Sequence, residues 1–565
     1  MPSLDSLLSQ LEEAKNCFGP GEEARTKRLL TAIGRRRFSD ADSLIRFHEA
    51  LLFIRAFPQA PGLYHLTEEL LSSFADRVER VRLSGADLTP FDYIESSGIA
   101  GTTVSGTFSY DIACWLARHY SSKVDVNWEK YDKKQRLASV LPRFLPLLYE
   151  DSLVEANIPY LDWLRAGKGR NESDLKWLLR SFESLPIPPK QKTELYDSLE
   201  LPVKWSLDNS RASRTKNMRR ARRIFYHTGP LIRRSEVSLA AEFDSPPIRL
   251  KKLARARGEA ILDMVRTTTT VRYRELYGIT HGDSETVVQA NIGRGVEIYL
   301  WGLPPARRLP LRAYHAGFTL KNGVPINYIE GITLFERMEL GFNTFYTFRE
   351  GETAWVYAKA LHLLYQIVGA TCFSIDPYQI GFNNEEAIES GAFWFYRKLG
   401  FRPTEQKLIR LVEAEEKKIR GDREYRTPAR VLRRLSAKHM IYEIDGASKG
   451  DWDRFQVRNI GLEVQRRAAK EFNGDAERIR SESVAEAARA LAIERADFNE
   501  LERQAFDNLA LALCLVPGLD RWSAEEKNHV VKIIRAKAGA DESAYARLLQ
   551  SHKALRDALI KIGSR

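Results

Sequence analysis

Cysteine is scarce. The four residues Cys17, Cys114, Cys372 and Cys514 lie far apart in 565 residues and never form a CxxC pair. That spacing argues against a disulfide framework and against zinc, so no metal site is expected, and a reducing cytoplasmic setting is favoured. No apolar run reaches the roughly eighteen residues of a membrane span, so no membrane association is predicted. The opening MPSLDSLLSQLEEAKNCFGPG is amphipathic and carries acids, unlike a secretory signal or a transit peptide. Internal repeats and low-complexity tracts are also missing.

What is present is a globular composition, 44% hydrophobic and 29% charged, in a chain long enough for about two to four domains. Lys and Arg exceed Asp and Glu by 87 to 75, a net charge of +12. Such an excess suits a polyanionic partner or, equally, simple solubility. The pattern divides the chain into a mostly helical region over residues 1–265, a mixed α+β domain over 266–410 and a helical region over 411–565.

In the first region SLLSQLEEAKNCF, ADSLIRFHEALLFIRAF, GLYHLTEELLSSFADRVERV and FSYDIACWLARHY repeat apolar residues at helical spacing. LASVLPRFLPLLYEDSLVEANIPYLDWL continues the pattern, broken by its prolines. ESSGIAGTTVSG, Glu95–Gly106, is glycine-rich but lacks the Lys-Ser/Thr of a P-loop, and a plain flexible loop is the expected reading. The basic run from Arg211 to Arg257 is densest at RASRTKNMRRARRIF. It reads as a phosphate-contacting surface for nucleic acid or as a solvated basic helix face. No base-reading motif accompanies it, so such binding would be weakly specific.

From Thr286 the pattern becomes β-rich. VVQANIGRGVEIYLWGL and LPLRAYHAGFTL read as strands, and Asn322-Gly323 as a hairpin turn into VPINYIEGITLFERME. GFNTFYTF, Gly341–Phe348, reads as the next strand of a largely antiparallel sheet. FREGETA, Phe348–Ala354, then opens the helix AWVYAKALHLLYQIVG. Ala354, Ala358, Leu361, Tyr365 and Val368 share one face, Thr353 is the expected cap, and Gly369 suits the C-terminal position. A Gly-containing turn between strand and helix presents backbone N–H groups at the positive end of the helix dipole, a suitable anion or pyrophosphate site.

The most informative stretch follows. ATCFSID, Ala370–Asp376, reads as a buried strand closed by Pro377. Asn383, with Glu386 three residues on, reads as the cap of one helix running to Gly400, which suits a left-handed terminus. Beyond Phe401, EQKLIRLVEAEEKKIRG, RTPARVLRRLSAKHMIYEI and the segments to the C-terminus are read as amphipathic helices.

Hairpin, strand, R-x-G-x-x-A turn, helix, buried strand and a helix ending AFWFYRKLGF resemble the second half of the GNAT acyltransferase fold, over roughly Val271–Thr404. The family's closing Ala, Tyr and Gly-Phe fall on Ala392, Tyr396, Gly400 and Phe401. The resemblance implies an N-acyltransferase that uses acetyl- or acyl-coenzyme A, with Tyr396 as the acid for the departing thiolate. It implies pyrophosphate contacts in the turn Phe348, Arg349, Glu350, Gly351, Glu352, Thr353 and Ala354, with Asn384 as a further contact. Two departures fall on these positions. Arg349 stands two rather than three residues before Gly351, and Glu389 occupies the place where the family carries Asn.

Acyl transfer to an amine needs a neutral nucleophile, oxyanion donors and an acid. For the base, Glu336 is the candidate among Glu330, Glu336, Glu339 and Glu352; His315 and His362, without metal-ligand spacing, read as structural. Two other readings compete. One is a non-catalytic GNAT-like binding or scaffold protein. The other is a transferase that takes an aminoacyl group from tRNA gripped by Arg211–Arg257.

Overall fold

The computed structural model describes residues 2–145, 147, 159–422, 424–444 and 450–565. It resolves two compact units. The first comprises Met1–Pro230, Ile261–Thr280 and Asn322–Pro325; the second comprises Leu231–Ala260, His281–Lys321 and Ile326–Arg565. These boundaries differ from the three regions read along the sequence, because the units interleave along the chain.

The first unit is mainly helical, as its apolar spacing predicts. Leu4–Ala14 starts where the Ser3 hydroxyl accepts the Ser6 N–H, and Ala41–Ala56 where the Asp40 carboxylate accepts that of Ser43. GLYHLTEELLSSFADRVERV forms two helices, Pro61–Ser72 and Phe74–Leu83, rather than one. A small antiparallel sheet, β1 (Thr103–Thr107), β2 (Val124–Val126) and β3 (Pro202–Ser206), was not foreseen, and β3 is its centre. Fully buried Trp205 on β3 fills the core. The part of the helical reading that covers residues 148–158 lies outside the described residues.

Two elements of this unit differ from expectation. The Glu95–Gly106 segment is a packed turn that runs into β1 rather than a free loop. Gly98 has φ +85°, and a Cβ there would sit 2.8 Å from Val271. Only glycine meets both conditions. The basic run is irregular rather than helical from Arg211 to Pro230, because its residues make side-chain anchors instead of a helix ladder. Arg214 is buried, donating to Glu49 at 2.7 Å and to the Glu95 carbonyl at 2.6 Å.

The second unit is α+β, as expected, and is built on a nine-stranded sheet. Its strands are β4 (Leu250–Lys252), β5 (Val288–Gly293), β6 (Val296–Trp301), β7 (Ala313–Lys321), β8 (Val324–Leu334) and β9 (Arg337–Thr344). They are followed by β10 (Cys372–Ile375), β11 (Arg402–Pro403) and β12 (Met440–Glu443). The order is β11-β12-β10-β9-β8-β7-β6-β5-β4. Neighbours pair antiparallel wherever their register is resolved, except β9 and β10, which are parallel and joined by the helix Thr353–Val368. The last inserted strand, β12, lies between β10 and β11.

The Asn322-Gly323 turn forms as read, with φ +50° and +83°. The stretch from Val324 to Glu339 is not one strand. It reverses at Phe335-Glu336, where Phe335 takes φ +53°, a turn that no Gly, Pro or Asn announces. The helix expected over RTPARVLRRLSAKHMIYEI stops at Leu435, and Met440–Glu443 joins the sheet as β12. The C-terminal helices pack on the same core as the sheet rather than forming a separate bundle. Tyr545 donates to the Leu311 carbonyl at 2.5 Å, and Arg308 to that of Lys537 at 2.6 Å.

Alternation along β9 separates the two faces of the sheet. Met338, Leu340 and Phe342 turn to the helix Thr353–Val368, where Phe342 meets Tyr357 at 4.9 Å. Arg337 and Glu339 turn to the other face. Tyr365, expected on the buried side of that helix, is 36% exposed at its edge against Phe243, because Tyr357, Ala360 and Leu364 carry the contact.

Candidate functional site

Strands β9 and β10 are in register only at Arg337, Met338 and Glu339, opposite Cys372, Phe373 and Ser374. β9 continues to Thr344, whereas β10 ends at Ile375 and the chain turns at Pro377. The two strands therefore part toward their carboxyl ends. The side chain of Gln379 bridges the start of the gap, donating to the Leu340 carbonyl at 2.9 Å. Ligands of α/β sheets commonly bind beyond the carboxyl ends of parallel strands, where backbone groups lack a partner strand.

At that end lies the turn Phe348–Glu352 and the start of the sixteen-residue helix. The helix begins at Thr353, with Glu352 rather than Thr353 as its cap residue and no side-chain capping bond. A helix start of this kind leaves N–H donors without partners inside the helix. The turn residues divide in two. Phe348, Glu352 and Ala354 are buried, while Arg349, Glu350, Gly351 and Thr353 reach solvent to differing degrees.

Glu352 is an internal counter-ion rather than a surface ligand. Its carboxylate accepts from Arg294 Nε at 2.7 Å and from the Ile232 N–H at 3.2 Å, and lies 3.3 Å from Lys321 Nζ. Burial pushes the Lys321 ammonium down to about 8 against the pull of Glu352. Arg349 is ion-paired with Glu386 and lies over the Tyr346 ring. That pair ties the turn to the segment holding Asn384.

Asn384, and not Asn383, is the helix cap: its Oδ1 accepts the Ala387 N–H at 3.2 Å and its Nδ2 donates to the Tyr378 carbonyl at 3.0 Å. Asn383 instead takes φ +52°. The single helix read from there to Gly400 is two, Glu385–Glu389 and Ala392–Arg397, separated at Gly391 with φ +66°. Gly400 is left-handed as read, φ +104°.

Tyr396 lies on the second of these helices, 5% exposed, among Tyr357, Phe395 and Phe401 with ring centroids 5.2–5.7 Å away. Burial raises its phenol above the ordinary tyrosine range, so the proton stays on. Beside it, the buried Tyr357 hydroxyl has no hydrogen-bond partner among the described residues, and burial again pushes its phenol well up. Tyr357 was not singled out from the sequence. Its position four residues before Leu361, on the same helix face, was the available signal.

Glu336 is not part of this constellation. It sits in the β8–β9 turn at the far end of β9, four residues before the strand begins to part from β10 at Leu340, and β9 itself spans about 23 Å at strand rise. Its carboxylate accepts from Arg556 Nε at 2.9 Å and from Trp452 Nε1 at 2.8 Å. Glu339 and Glu330 lie on the face away from the helix Thr353–Val368, and Tyr314 donates its hydroxyl to Glu330. His362 is held by Glu242 at 3.0 Å, a structural role, and His315 is buried with its imidazole basicity lowered by burial.

The basic run divides between the units after Pro230. In the first unit Arg211, Lys216 and Arg220 line a groove of about 720 Å³ with the ion pair Arg55–Glu68. Arg222 and Arg223 are exposed. Among the described residues no group of three or more His, Cys, Asp or Glu could hold a metal ion, and no helix is long and apolar enough to cross a membrane.

No protein-family model, curated protein or solved structure matches the chain.

Proposed function

We propose that the second unit is a GNAT-like acyltransferase domain that moves an acetyl or acyl group from coenzyme A to an amine. The observation that carries this reading is the parting of β9 from β10 with the helix Thr353–Val368 starting at its open end. A pantetheine arm would lie along the unpaired edge of β9, and the pyrophosphate would meet the N–H groups around Gly351 and Thr353. The strand order β9-β10-β12-β11, with its single parallel pair, supports the same reading. The chemistry asks for proximity in one cleft and for an acid beside the leaving thiolate, the place the family resemblance gives Tyr396; burial keeps its phenol protonated and also makes that proton harder to give up.

The balance of the step is simple. The amine nitrogen forms a bond to the thioester carbonyl carbon, the C–S bond breaks, and the thiolate takes a proton from the Tyr396 hydroxyl. The phenolate is reprotonated by the proton released from the amine. Glu336 is left out of this step, since Arg556 and Trp452 occupy it.

Calorimetry of the full chain with acetyl-coenzyme A tests the reading. Saturable binding, with acyl product from an amine panel, is the expected result. Absence of both heat and product overturns it and leaves the domain as a non-catalytic binding platform.

A further inference from the structure

The opposite face of the same sheet carries a cavity of about 460 Å³ that the acyl-transfer reading does not use. Its floor is formed by Ile332 and Leu334 of β8, Arg337 and Glu339 of β9, and Ser374 of β10. The strand registers put these side chains on the face away from Tyr357 and Tyr396. Phe382 and Phe455 add apolar wall, and the segment Lys438–His439 leading into β12 closes one side.

The charge in this cavity is unbalanced. Arg337 has only 11% of its side chain exposed, donates to Ser374 Oγ at 3.1 Å and meets the Glu339 carboxylate only at 4.0 Å. Its guanidinium lies 5.7 Å from the ring centroids of Trp452 and Phe455, so its planar faces rest on aromatics while its edge remains for a ligand. Arg312 and Arg458 also line the cavity, and among the described residues no ion pair or hydrogen bond engages either guanidinium. Lys438 is answered by Glu405 at 3.3 Å. The acids facing the cavity are Glu339 and Asp376, and Asp376 is committed to capping the Tyr378 N–H at 2.8 Å.

One more polar group is unanswered. Among the described residues the buried Nε2 of His439 has no hydrogen-bond partner, and burial pushes its imidazole down to about 4, so it is neutral near pH 7. A buried cation with weak compensation beside a second like charge is costly unless an anion completes it. A concave, largely apolar site with a few convergent polar groups is the usual form of a small-molecule pocket.

We infer that this cavity binds a small molecule with an apolar body and a carboxylate or phosphate group, the oxyanion held between Arg337 and Arg312. The forked guanidinium of Arg337 presents parallel donors suited to either group. The apolar body lies on Ile332, Leu334 and Phe455, and His439 offers a neutral polar contact beside it. The site goes beyond the acyl-transfer reading and does not depend on it, since no turn residue and neither tyrosine takes part.

The experiment is calorimetry of the full chain with phenylacetate, phenyl phosphate and the neutral 2-phenylethanol, each also titrated into Arg312→Gln and Glu339→Gln. Phenylacetate or phenyl phosphate should bind at least about tenfold more tightly than 2-phenylethanol, and whichever of the two is tighter identifies the oxyanion. R312Q should weaken that probe by about tenfold or more, and E339Q, which removes a competing negative charge, should tighten it by about threefold. Equal binding of charged and neutral probes, no binding of any, or an affinity unchanged in R312Q overturns the inference. Among the described residues the Arg312 guanidinium has no hydrogen-bond or ion-pair partner to lose, so that variant is expected to fold. Acetyl-coenzyme A titrated into the same variants reads the other face independently.

Discussion

Lys321 Nζ lies 3.3 Å from Glu352 Oε2, and both side chains are essentially without solvent exposure. Arg294 completes the group from the β5–β6 turn. The residue that precedes the helix Thr353–Val368 is therefore fixed by two cations, and the start of the helix is held against the β-strands by charge as well as by packing. Lys321→Met leaves Glu352 with one cation in a buried site and should cost about 3–5 kcal/mol in urea unfolding. Adding Glu352→Gln should recover part of that loss; a double variant no better than K321M would show that the pair is not coupled.

Glu336→Gln separates a structural from a chemical role. With Arg556 and Trp452 as its partners, the substitution should lower the thermal midpoint and, on the proposed mechanism, leave the rate of acyl transfer within about threefold of wild type. A large fall in kcat at unchanged stability would restore Glu336 as the base.

Tyr396→Phe keeps the ring that packs against Tyr357 and Phe401 and removes only the hydroxyl. On the proposed mechanism it should reduce kcat by about 10²-fold or more with coenzyme binding retained. Burial holds the phenol protonated beyond the ordinary tyrosine range. The wild-type rate should therefore show no alkaline loss up to about pH 10, the ordinary value for tyrosine. A Y396F enzyme of full activity would remove the acid assignment.

The first unit should be acid-sensitive through His48. Burial pushes this imidazole down to about 4, against the pull of Glu49. The unfolded chain binds the proton first, near the ordinary value of about 6.5. Stability is thus complete above pH 6.5 and is lost as pH falls toward 4, by about 2 kcal/mol at pH 5. Urea midpoints at pH 7 and 5 measure this, and His48→Gln, which keeps a hydrogen-bonding side chain for Thr215, should flatten the dependence. An equally steep loss in H48Q would place the acid sensitivity elsewhere.

Local signals in the chain were sufficient for much of the stretch from Asn322 to Gly400. The Asn322-Gly323 turn, the helix ended by Gly369, the buried strand at Cys372 and the left-handed Gly400 all form where the residues indicated. Each depends on neighbours a few positions away: a residue that tolerates positive φ, an apolar period, a run of β-branched and aromatic side chains. The turn at Phe335-Glu336 carries no such residue, and it forms because β8 and β9 pair along eight positions on either side. Likewise HMIYEI has no local reason to leave a helix. It becomes β12 because β10 and β11 offer it two edges at once.

The candidate site shows the same division. Amino-acid order alone placed a glycine turn before a helix and a tyrosine before Gly-Phe. Which turn residues face inward was decided by long-range charge: Glu352 is drawn in by Lys321 and Arg294, which stand 31 and 58 residues earlier. Glu336 was likewise removed from the site by Arg556, 220 residues later. The cavity on the other face gathers Arg312, Arg337, His439 and Phe455 from four separate segments, and no spacing in the chain announces it. Where the nearest residues set the backbone, as at Asn322-Gly323, Gly369 and Gly400, it was legible. The partners of buried charges are chosen by the folded sheet, and only the tertiary structure could name them.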